Sequence, residues 1–375
     1  MPKKIFLIVA VFLVVLFAVK VGPFIVKFFP VAATVVLHQA PALKETNGRT
    51  SILLLGTGGA NHDGPNLTDT IIYATIDLKT DKVTLVSIPR DLWVADVANG
   101  NGGKINEAYA DGQLNNQHKG LLLAKTIVGN VVGQPIHYGF RIDFGGFMKA
   151  VDLLGGIDVH VQNTLDDYNY PIDGKEDDAC GHSAIDVQTF MASAPADLAQ
   201  WDFFPCRYMH LHVPAGVVHM DGQTALEFVR SRHGVGEEGS DFARSRRQQL
   251  VIEAFRAQAL SAGTLFNPAK IIGLYTILKD SIDTDISQED FGAFISLAQK
   301  LKSATIQSAV LDEGDAVQNR AGLLTEGAVS VYNGFFLIPR VGETNYSEIQ
   351  AYVSCLITKG ACSVSATPKP SVSQR

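Results

Sequence analysis

Basic residues are in the minority in this chain of 375 residues. It has 31 lysines and arginines against 38 aspartates and glutamates, so its formal net charge at pH 7 is −7. A domain that binds nucleic acid usually carries an excess of basic residues over its whole surface, so nucleic acid is the least favoured partner. A disordered chain is also excluded because 46% of the residues are hydrophobic, and no internal repeat is visible. The length suffices for one large domain or two small ones.

Cysteine is scarce as well, with four residues in the whole chain. Their spacing matches no zinc-binding pattern, while an even number in an oxidising compartment suggests disulfides. Proximity along the chain favours Cys180 with Cys206 and Cys355 with Cys362. Three connectivities are possible for four cysteines, and free thiols remain an alternative.

The N-terminal segment contains almost no charge after Lys3 and Lys4. Residues 5–29 approach the length of a bilayer span, with Lys20 able to extend its amine to the far interface. We therefore predict a cytoplasmic tail at 1–4, a transmembrane anchor at 5–29 and a linker at 30–50, with everything beyond lying outside the cell membrane. A cleaved signal peptide is the alternative.

Strand and helix patterns alternate over residues 51–358 and predict an α/β domain, a three-layer α/β/α sandwich with a central mixed sheet. The predicted strands are 51–55, 70–76, 82–88, 136–142, 157–161, 305–311 and 335–338. The predicted helices are 121–132, 144–154, 222–229, 268–278, 289–301, 346–357 and one that begins after Ser240. Residues 166–207 are polar and are predicted to form a long excursion that a disulfide could close, and 363–375 a disordered tail.

Five arginines crowd into residues 227–250 of this acidic protein: Arg230, Arg232, Arg244, Arg246 and Arg247. Helical phase places Arg244, Arg247 and Gln248 on the apolar stripe, so we expect them to face inward toward a site. Several guanidinium groups suit phosphate oxygens and can together neutralise a pyrophosphate. The alternative is a solvated helix face whose arginines form salt bridges with Glu237, Glu238 and Asp241.

Seven motifs occur in an order that resembles the LytR-CpsA-Psr family. They are LLLG at 53–56, LTDT at 67–70, SIPRDLWV at 87–94, KINEAY at 104–109, FxxxVDLLGGIDVHV at 147–161, ALEFVRSRH at 225–233 and SDFARSRRQQ at 240–249. Any one motif is weak evidence, but seven in order are specific. The resemblance implies a membrane-anchored, extracytoplasmic phosphotransferase that moves a glycopolymer from an undecaprenyl-pyrophosphate carrier to peptidoglycan.

The resemblance also implies roles for individual residues. Asp69 matches the acid that holds a divalent cation, usually Mg²⁺, against the pyrophosphate. The matching phosphate-gripping arginines are Arg90, Arg230, Arg232 and Arg244, and the accompanying polar residues are Asp241 and Gln248. Lys104 lies in a motif near the same cleft, and with Arg247 it is an expected substrate contact.

Two positions depart from the family pattern. Gly58 stands where an acid is usual, and Leu67 stands where an arginine is usual. Asp63, alone or with His62, could supply the second metal ligand, although an exposed loop turn explains the same residues. The missing acid leaves open an alternative to a transferase, a protein that binds a polyprenyl phosphate without turnover. A second alternative is a pyrophosphate hydrolase, which differs only in that water attacks instead of a sugar hydroxyl.

Two further features each have two interpretations. Asp91 or Asp241 could orient or deprotonate the attacking sugar hydroxyl, but holding an arginine in place explains each acid equally well. The helices at 121–132 and 144–154 could line an apolar groove for a lipid carrier, although packing in the core is the default for such helices.

Overall fold

The computed structural model describes residues 42–60, 64–97, 100–114, 119–193, 200–265, 270, 273–274, 281–287, 289–301, 304–315, 320–327 and 334–366. The predicted cytoplasmic tail, the transmembrane anchor and most of the linker and C-terminal tail lie outside these residues. So does most of the helix predicted at 268–278. Among the helices that are described, none has both the length and the hydropathy of a bilayer span.

A mixed β-sheet of six strands forms the centre of the described structure. The described strands are β1 (Arg49–Thr57), β2 (Thr68–Asp77), β3 (Val83–Ser87), β4 (Trp93–Val94), β5 (Gly103–Lys104), β6 (Tyr138–Asp143), β7 (Ile157–Val161), β8 (Leu165–Pro171), β9 (Tyr208–Val213), β10 (Gly216–Met220), β11 (Ile282–Thr284), β12 (Ile306–Val310), β13 (Gly314–Asp315), β14 (Arg320–Ala321), β15 (Leu324–Glu326) and β16 (Leu337–Pro339). The central sheet has the order β11-β6-β1-β2-β3-β12. In it, β1 pairs antiparallel with β2 and parallel with β6, while β3 pairs antiparallel with β2 and parallel with β12.

Helices cover both faces of this sheet. Along β1, Leu53 and Leu55 face one apolar cluster, while Ile52 and Leu54 face another, as the two-residue period of a strand requires. The described helices are α1 (Glu107–Gln113), α2 (Gly120–Val132), α3 (Phe144–Leu154), α4 (Ala184–Ser193), α5 (Gln200–Phe203), α6 (Gly222–Arg230), α7 (Asp241–Ala259), α8 (Ala262–Leu265), α9 (Phe291–Lys300) and α10 (Ser347–Lys359). Residues of α1, α2 and α10 join the first cluster, and residues of α7 and α9 join the second. The prediction of an α/β fold with a central mixed sheet is confirmed.

A second, smaller layer of strands packs beside the main sheet. β7 pairs with β10 and β8 pairs with β9, and apolar residues of these strands share a buried cluster with α3, α6 and α7. Side-chain caps define where these helices begin: Asp143 accepts a hydrogen bond from the Gly146 amide, Asp221 from Thr224 and Ser240 from Ala243. This layer carries α6 and α7, which hold the arginine cluster.

Both predicted disulfides are present. Cys180 is bonded to Cys206 and Cys355 to Cys362, with Cα–Cα distances of 5.5 and 6.1 Å. The first disulfide closes most of the polar excursion at 166–207. That excursion begins as an ordered strand, β8, rather than as a loop, because its first residues pair with β9.

We expect the two disulfides to differ in their effect on stability. The longer loop, with a sequence separation of 26 against 7, restricts the unfolded chain more. On the loop-entropy model, replacing Cys180 and Cys206 by serine should lower the free energy of unfolding by about 3.5 kcal/mol, against about 2.4 kcal/mol for Cys355 and Cys362. Urea unfolding of the two double variants measures this difference. Equal losses, or a larger loss for the shorter loop, would contradict the expectation.

Candidate functional site

The ends of several strands meet at one edge of the central sheet. Thr57 at the end of β1 lies opposite Asp143 at the end of β6 and Thr68 at the start of β2. Ser87 at the end of β3 lies opposite Ile72 of β2, so the chain leaves β3 at the same edge. The carboxyl ends of parallel strands are the usual ligand side of an open α/β sheet. The candidate site is therefore at this edge.

Four charged side chains form a continuous network here. Arg90 donates a short hydrogen bond from Nη1 to Oδ1 of Asp69, and its Nε lies 3.4 Å from Oδ2 of Asp91. Lys104 donates from Nζ to Oδ1 of Asp91 at 2.6 Å. Burial lowers the pKa of the Arg90 guanidinium, but the charges and hydrogen bonds of Asp69 and Asp91 outweigh burial and raise it. Each acid thus holds a cation in place.

Asp91 is only 8% exposed, and its two oxygens each face a cation. A carboxylate engaged in this way is poorly placed to take a proton from a sugar hydroxyl. The structure therefore favours the interpretation in which Asp91 fixes Arg90 and Lys104. The backbone supports the same arrangement, since the amide of Asn106 donates to the Arg90 carbonyl at 3.3 Å.

Helices α6 and α7 bring the arginine cluster to the same edge. Gln248 of α7 donates from Nε2 to Oγ1 of Thr70 at 3.2 Å, which joins this helix to the residue after Asp69. Arg230, the last residue of α6, donates to both oxygens of Asp173 at 3.1 and 3.0 Å and lies 5.0 Å from the ring of Phe144.

The electrostatic surroundings of Arg230 link it to Asp69. Burial lowers the pKa of the Arg230 guanidinium, but its hydrogen bond to Asp173 and the charges of Tyr170, Asp173 and Asp69 raise it overall. The charge of Asp69 thus contributes to raising the pKa of both Arg90 and Arg230. The site thus has two arms, one from the sheet and one from α6 and α7, and the hydrogen bond from Gln248 to Thr70 joins them.

The other expected residues of this arm differ in what surrounds them. Arg232 is exposed and makes no hydrogen bond or ion pair with any described residue. Arg244 is half-buried in the second turn of α7, and its amide donates to the Ser240 carbonyl. Asp241 is the first residue of α7, and its side chain is not among the described ones. The Arg232 side chain is therefore open to solvent.

Arg247 is the site residue that the structure places differently from the sequence prediction. It is 1% exposed and donates to the carbonyls of Phe228, Ser231 and Glu238 at 2.7–2.9 Å. It also donates to the carboxylate of Glu238 at 2.9 Å. The expectation that Arg247 contacts substrate is therefore corrected, because its donors are occupied by the loop between α6 and α7. Helical phase did place it inward, but toward protein carbonyls.

Two buried acids complete this support: Glu238, which the sequence indicated only as a salt-bridge partner on a solvated helix face, and Asp167, which it did not single out. Glu238, 6% exposed, accepts from Arg246 at 2.6 Å, from Arg247 and from Asn163. Asp167, fully buried, accepts from the Ser231 hydroxyl at 2.6 Å and from the His233 amide. Both acids fix the segment that carries Arg230 and Arg232. Both lie in polar stretches of sequence without an apolar period, so no periodic signal could have revealed this role.

The loop that departs from the family pattern is only partly described. Gly59 donates to the Pro65 carbonyl at 3.1 Å and closes the loop between β1 and β2, and Leu67 donates to Gly64. Asp63, with its proposed metal role, lies outside the described residues. An added Cβ at Gly59 would lie 3.0 Å from that of Asp143, so the Asp143 side chain borders this loop.

The carboxylate oxygens in the described part of the site suit a divalent cation that has few protein ligands. Asp69 uses Oδ1 for Arg90 and makes no described hydrogen bond through Oδ2. Magnesium is often held by one or two carboxylates together with waters and substrate phosphates, so this donor set fits a cation that arrives with the substrate.

One of the two helices expected to border a lipid groove, α2, lines a surface depression of about 780 Å³ together with Gln350 of α10. The apolar buried residues of α2 belong to the main core, and Val151 of α3 is buried in the smaller layer. A surface depression of about 650 Å³ lies around Arg49 and Asp77, at the other end of β1 and β2 from the site. It is remote from the arginine cluster and shares no residue with it.

Comparison with known proteins identifies the family. The model of the LytR_cpsA_psr family matches residues 31–329, which is most of the chain. The chain belongs to the LytR-CpsA-Psr family. Its LytR-CpsA-Psr motifs include the strand ends and helices that form the arginine site.

Relatives in this family have established names. A polyisoprenyl-teichoic acid–peptidoglycan teichoic acid transferase, TagU, of Enterococcus faecalis is 27% identical over 77% of this chain and 81% of its own length. TagU of Bacillus mycoides is 28% identical over 64% of this chain and 61% of its own length. The matches thus span from three fifths to four fifths of these relatives.

Several solved structures share the fold of this chain. TagV of Bacillus subtilis superposes with a TM-score of 0.53 at 23% identity, covering 83% of this chain and 97% of that one. A Streptococcus agalactiae protein gives a TM-score of 0.53 at 21% identity, covering 82% and 88%. At these identities the likeness establishes the fold alone.

The structural role of Arg247 can be tested by stability. Arg247→Ala should lower the free energy of unfolding by about 3 kcal/mol or more, because it leaves Glu238 buried without its inner partner. Urea unfolding measures the loss. Arg246→Ala is the matched control: it removes a neighbouring arginine from the same acid, but one whose side chain is 28% exposed, and it should cost less. If Arg247→Ala instead kept its stability and lost activity, the result would support a contact between Arg247 and the substrate.

Proposed function

We propose that this protein is a phosphotransferase that moves a glycopolymer from a polyprenyl pyrophosphate carrier, such as undecaprenyl pyrophosphate, to a hydroxyl of peptidoglycan. The observation that carries the proposal is the hydrogen bond from Gln248 of α7 to Thr70, next to the Arg90–Asp69 pair, which joins the segment of Arg230 and the exposed Arg232 to this edge of the sheet. A fixed group of guanidinium donors in an acidic protein suits a pyrophosphate. Family membership and the transferase relatives support the same reaction class.

The reaction is a displacement at phosphorus. The oxygen of a peptidoglycan hydroxyl forms a bond to the phosphorus that carries the sugar, and the bond from that phosphorus to the bridging oxygen breaks. The electron pair leaves with polyprenyl phosphate, the hydroxyl proton passes to a base or to solvent, and the glycan remains joined to the wall by a phosphodiester. Such a step needs charge neutralisation and alignment more than covalent help from the protein.

The residues divide this work according to their surroundings. Arg90, held by Asp69 and Asp91, and Arg230, held by Asp173, are preorganised cations that lose little freedom when they bind phosphate. Arg232 and Arg244 add donors from the second arm, while Gln248 ties that arm to the strand of Asp69. Lys104 donates a hydrogen bond to Asp91 and acts on the substrate indirectly, because Asp91 in turn holds Arg90 in position.

A divalent cation, Mg²⁺ by preference, belongs to the proposal. When bound it would neutralise charge on the pyrophosphate, with Asp69 and Asp63 as its proposed protein ligands.

We also propose that residues 5–29 anchor the protein in the cell membrane, with residues 1–4 in the cytoplasm and the catalytic domain outside. The two disulfides in the described residues fit an oxidising compartment. A membrane-bound position would bring the arginine site near a carrier whose lipid lies in the bilayer.

Product analysis tests this function against a hydrolase or a binding protein. The full chain in detergent would receive a polyprenyl-pyrophosphate oligosaccharide and a peptidoglycan acceptor, with and without magnesium. Transfer yields polyprenyl phosphate and a glycan phosphodiester on the acceptor. Free glycan phosphate would identify a hydrolase, and tight binding with no product would identify a carrier-binding protein, the alternative that Gly58 favours.

Arg90 and Arg49 provide a matched pair for the arginine hypothesis. Both side chains are 30% exposed, and each pairs with an aspartate of β2, Arg90 with Asp69 and Arg49 with Asp77 at the other end of the strand. Arg90→Ala should reduce the rate of polyprenyl phosphate release by about 10²–10³-fold, as loss of a preorganised oxyanion donor does. Arg49→Ala should leave the rate nearly unchanged. Similar rates for the two variants would show that Arg90 does not contribute to the reaction.

Asp69→Asn tests the cation. The substitution keeps the size of the side chain but removes the charge that Mg²⁺ prefers, so the magnesium concentration for half-maximal release should rise at least about tenfold. Titration of initial rates with magnesium provides the measurement, and thermal unfolding shows whether the variant is folded. An unchanged titration curve would exclude Asp69 as a ligand.

A further inference from the structure

A cluster of three side chains lies on the β8–β9 hairpin, apart from the arginine site. Asp166 of β8 is paired in register with His212 of β9, and His210 precedes His212 by two residues on the same face of the strand. Oδ1 of Asp166 lies 2.8 Å from Nε2 of His210 and 2.7 Å from Nδ1 of His212. One nitrogen from each histidine and one carboxylate oxygen lie within 4.8 Å of one another.

The surrounding structure fixes two of these three groups. The ring of Tyr168 stacks on that of His210 with centroids 4.1 Å apart and an angle of 9° between the planes. The Asp166 carbonyl accepts a hydrogen bond from the amide of Val235 at 2.8 Å, which holds the strand at this residue. The side chains of His210 and His212 are 43% and 53% exposed, so an ion can reach them from solvent.

The donor types select a class of metal. Imidazole nitrogens suit Zn²⁺ and other late divalent transition metals, whereas Mg²⁺ prefers an all-oxygen shell. Three protein ligands also leave one tetrahedral position for water. The other group of nearby donors in the described residues, Asp178 with Cys180 and Cys206, is different because both of its sulfurs are consumed in a disulfide.

A simple hydrogen bond between histidine and aspartate is the competing explanation, and the chain contains an example of one. His219 of β10 lies 2.7 Å from Asp158 of β7, and its side chain is 64% exposed. That pair has a single histidine and is not part of a three-ligand group among the described residues. The hairpin cluster differs in that two imidazoles converge on one carboxylate oxygen.

We propose that Asp166, His210 and His212 form a binding site for Zn²⁺ on the β8–β9 hairpin. The site stands independently of the proposed transferase reaction, since none of its ligands belongs to the arginine cluster. Its position has a structural consequence, because the next residue, Asp167, holds Ser231 and His233. A metal ion on the hairpin would therefore stabilise the strand that supports the arginine segment.

Zinc binding to the full chain tests the proposal. The protein would be purified in detergent without a polyhistidine tag, stripped with a chelator and dialysed against increasing Zn²⁺, with bound metal measured by elemental analysis. We expect one zinc ion per chain, and a loss of affinity of at least about tenfold in His210→Ala, His212→Ala and Asp166→Asn, since even changes outside the ligand shell cost 10–100-fold. His219→Ala is the matched control and should bind zinc like the unmodified chain.

Cobalt substitution gives a second readout that does not depend on any variant. Co²⁺ in a site with nitrogen and oxygen ligands at low coordination number should produce visible absorption bands that zinc abolishes in competition. Absence of these bands and of stoichiometric zinc in the unmodified chain would overturn the proposal. It would also be overturned if folded variants of His210 and His212 retained zinc, or if His219→Ala lost it to the same extent.

Discussion

The arginine site depends on one buried ion pair, between Arg247 and Glu238. Arg247 donates to three backbone carbonyls and one carboxylate from a position that is 1% exposed. These bonds satisfy carbonyls at the end of α6 and in the loop that follows, which would otherwise be buried without partners. Arg247 thus ties the segment between α6 and α7 to helix α7 at several points, which restricts the positions of Arg230 and Arg232.

Carboxylates also hold cationic side chains in place along the rest of this edge of the sheet. Asp69, Asp91 and Asp173 each hold a cation, and buried Asp167 fixes the backbone beside Ser231. The reason is electrostatic: several guanidinium groups repel one another, so they remain close together only where carboxylates or carbonyls offset part of the charge. Arg232, two residues beyond Arg230, remains exposed to solvent. The departures at Gly58 and Leu67 leave these supports in place.

The smaller strand layer contributes more than packing. Its β8–β9 hairpin carries Asp167 toward the arginine segment and Asp166 toward the solvent-facing histidines, because neighbouring residues of a strand point to opposite sides. The Cys180–Cys206 disulfide closes the polar excursion that joins the two strands. A long polar insertion is thereby held against the site.

The sequence by itself determined the α/β class, most strands of the central sheet, the bounds of α3 and β7 and the family, and it favoured the disulfide pairs that the structure contains. Those features follow from local signals: apolar periodicity, capping residues and short motifs, each of which acts over a few neighbouring residues. Only the tertiary structure decided that Arg247 faces carbonyls, that Glu238 and Asp167 are buried supports, and that 166–171 is a strand. These outcomes depend on pairing between residues such as Asp167 and Ser231, which lie 64 positions apart. Helical phase indicates that a side chain points inward, but the group it meets there is set by the packing of other elements.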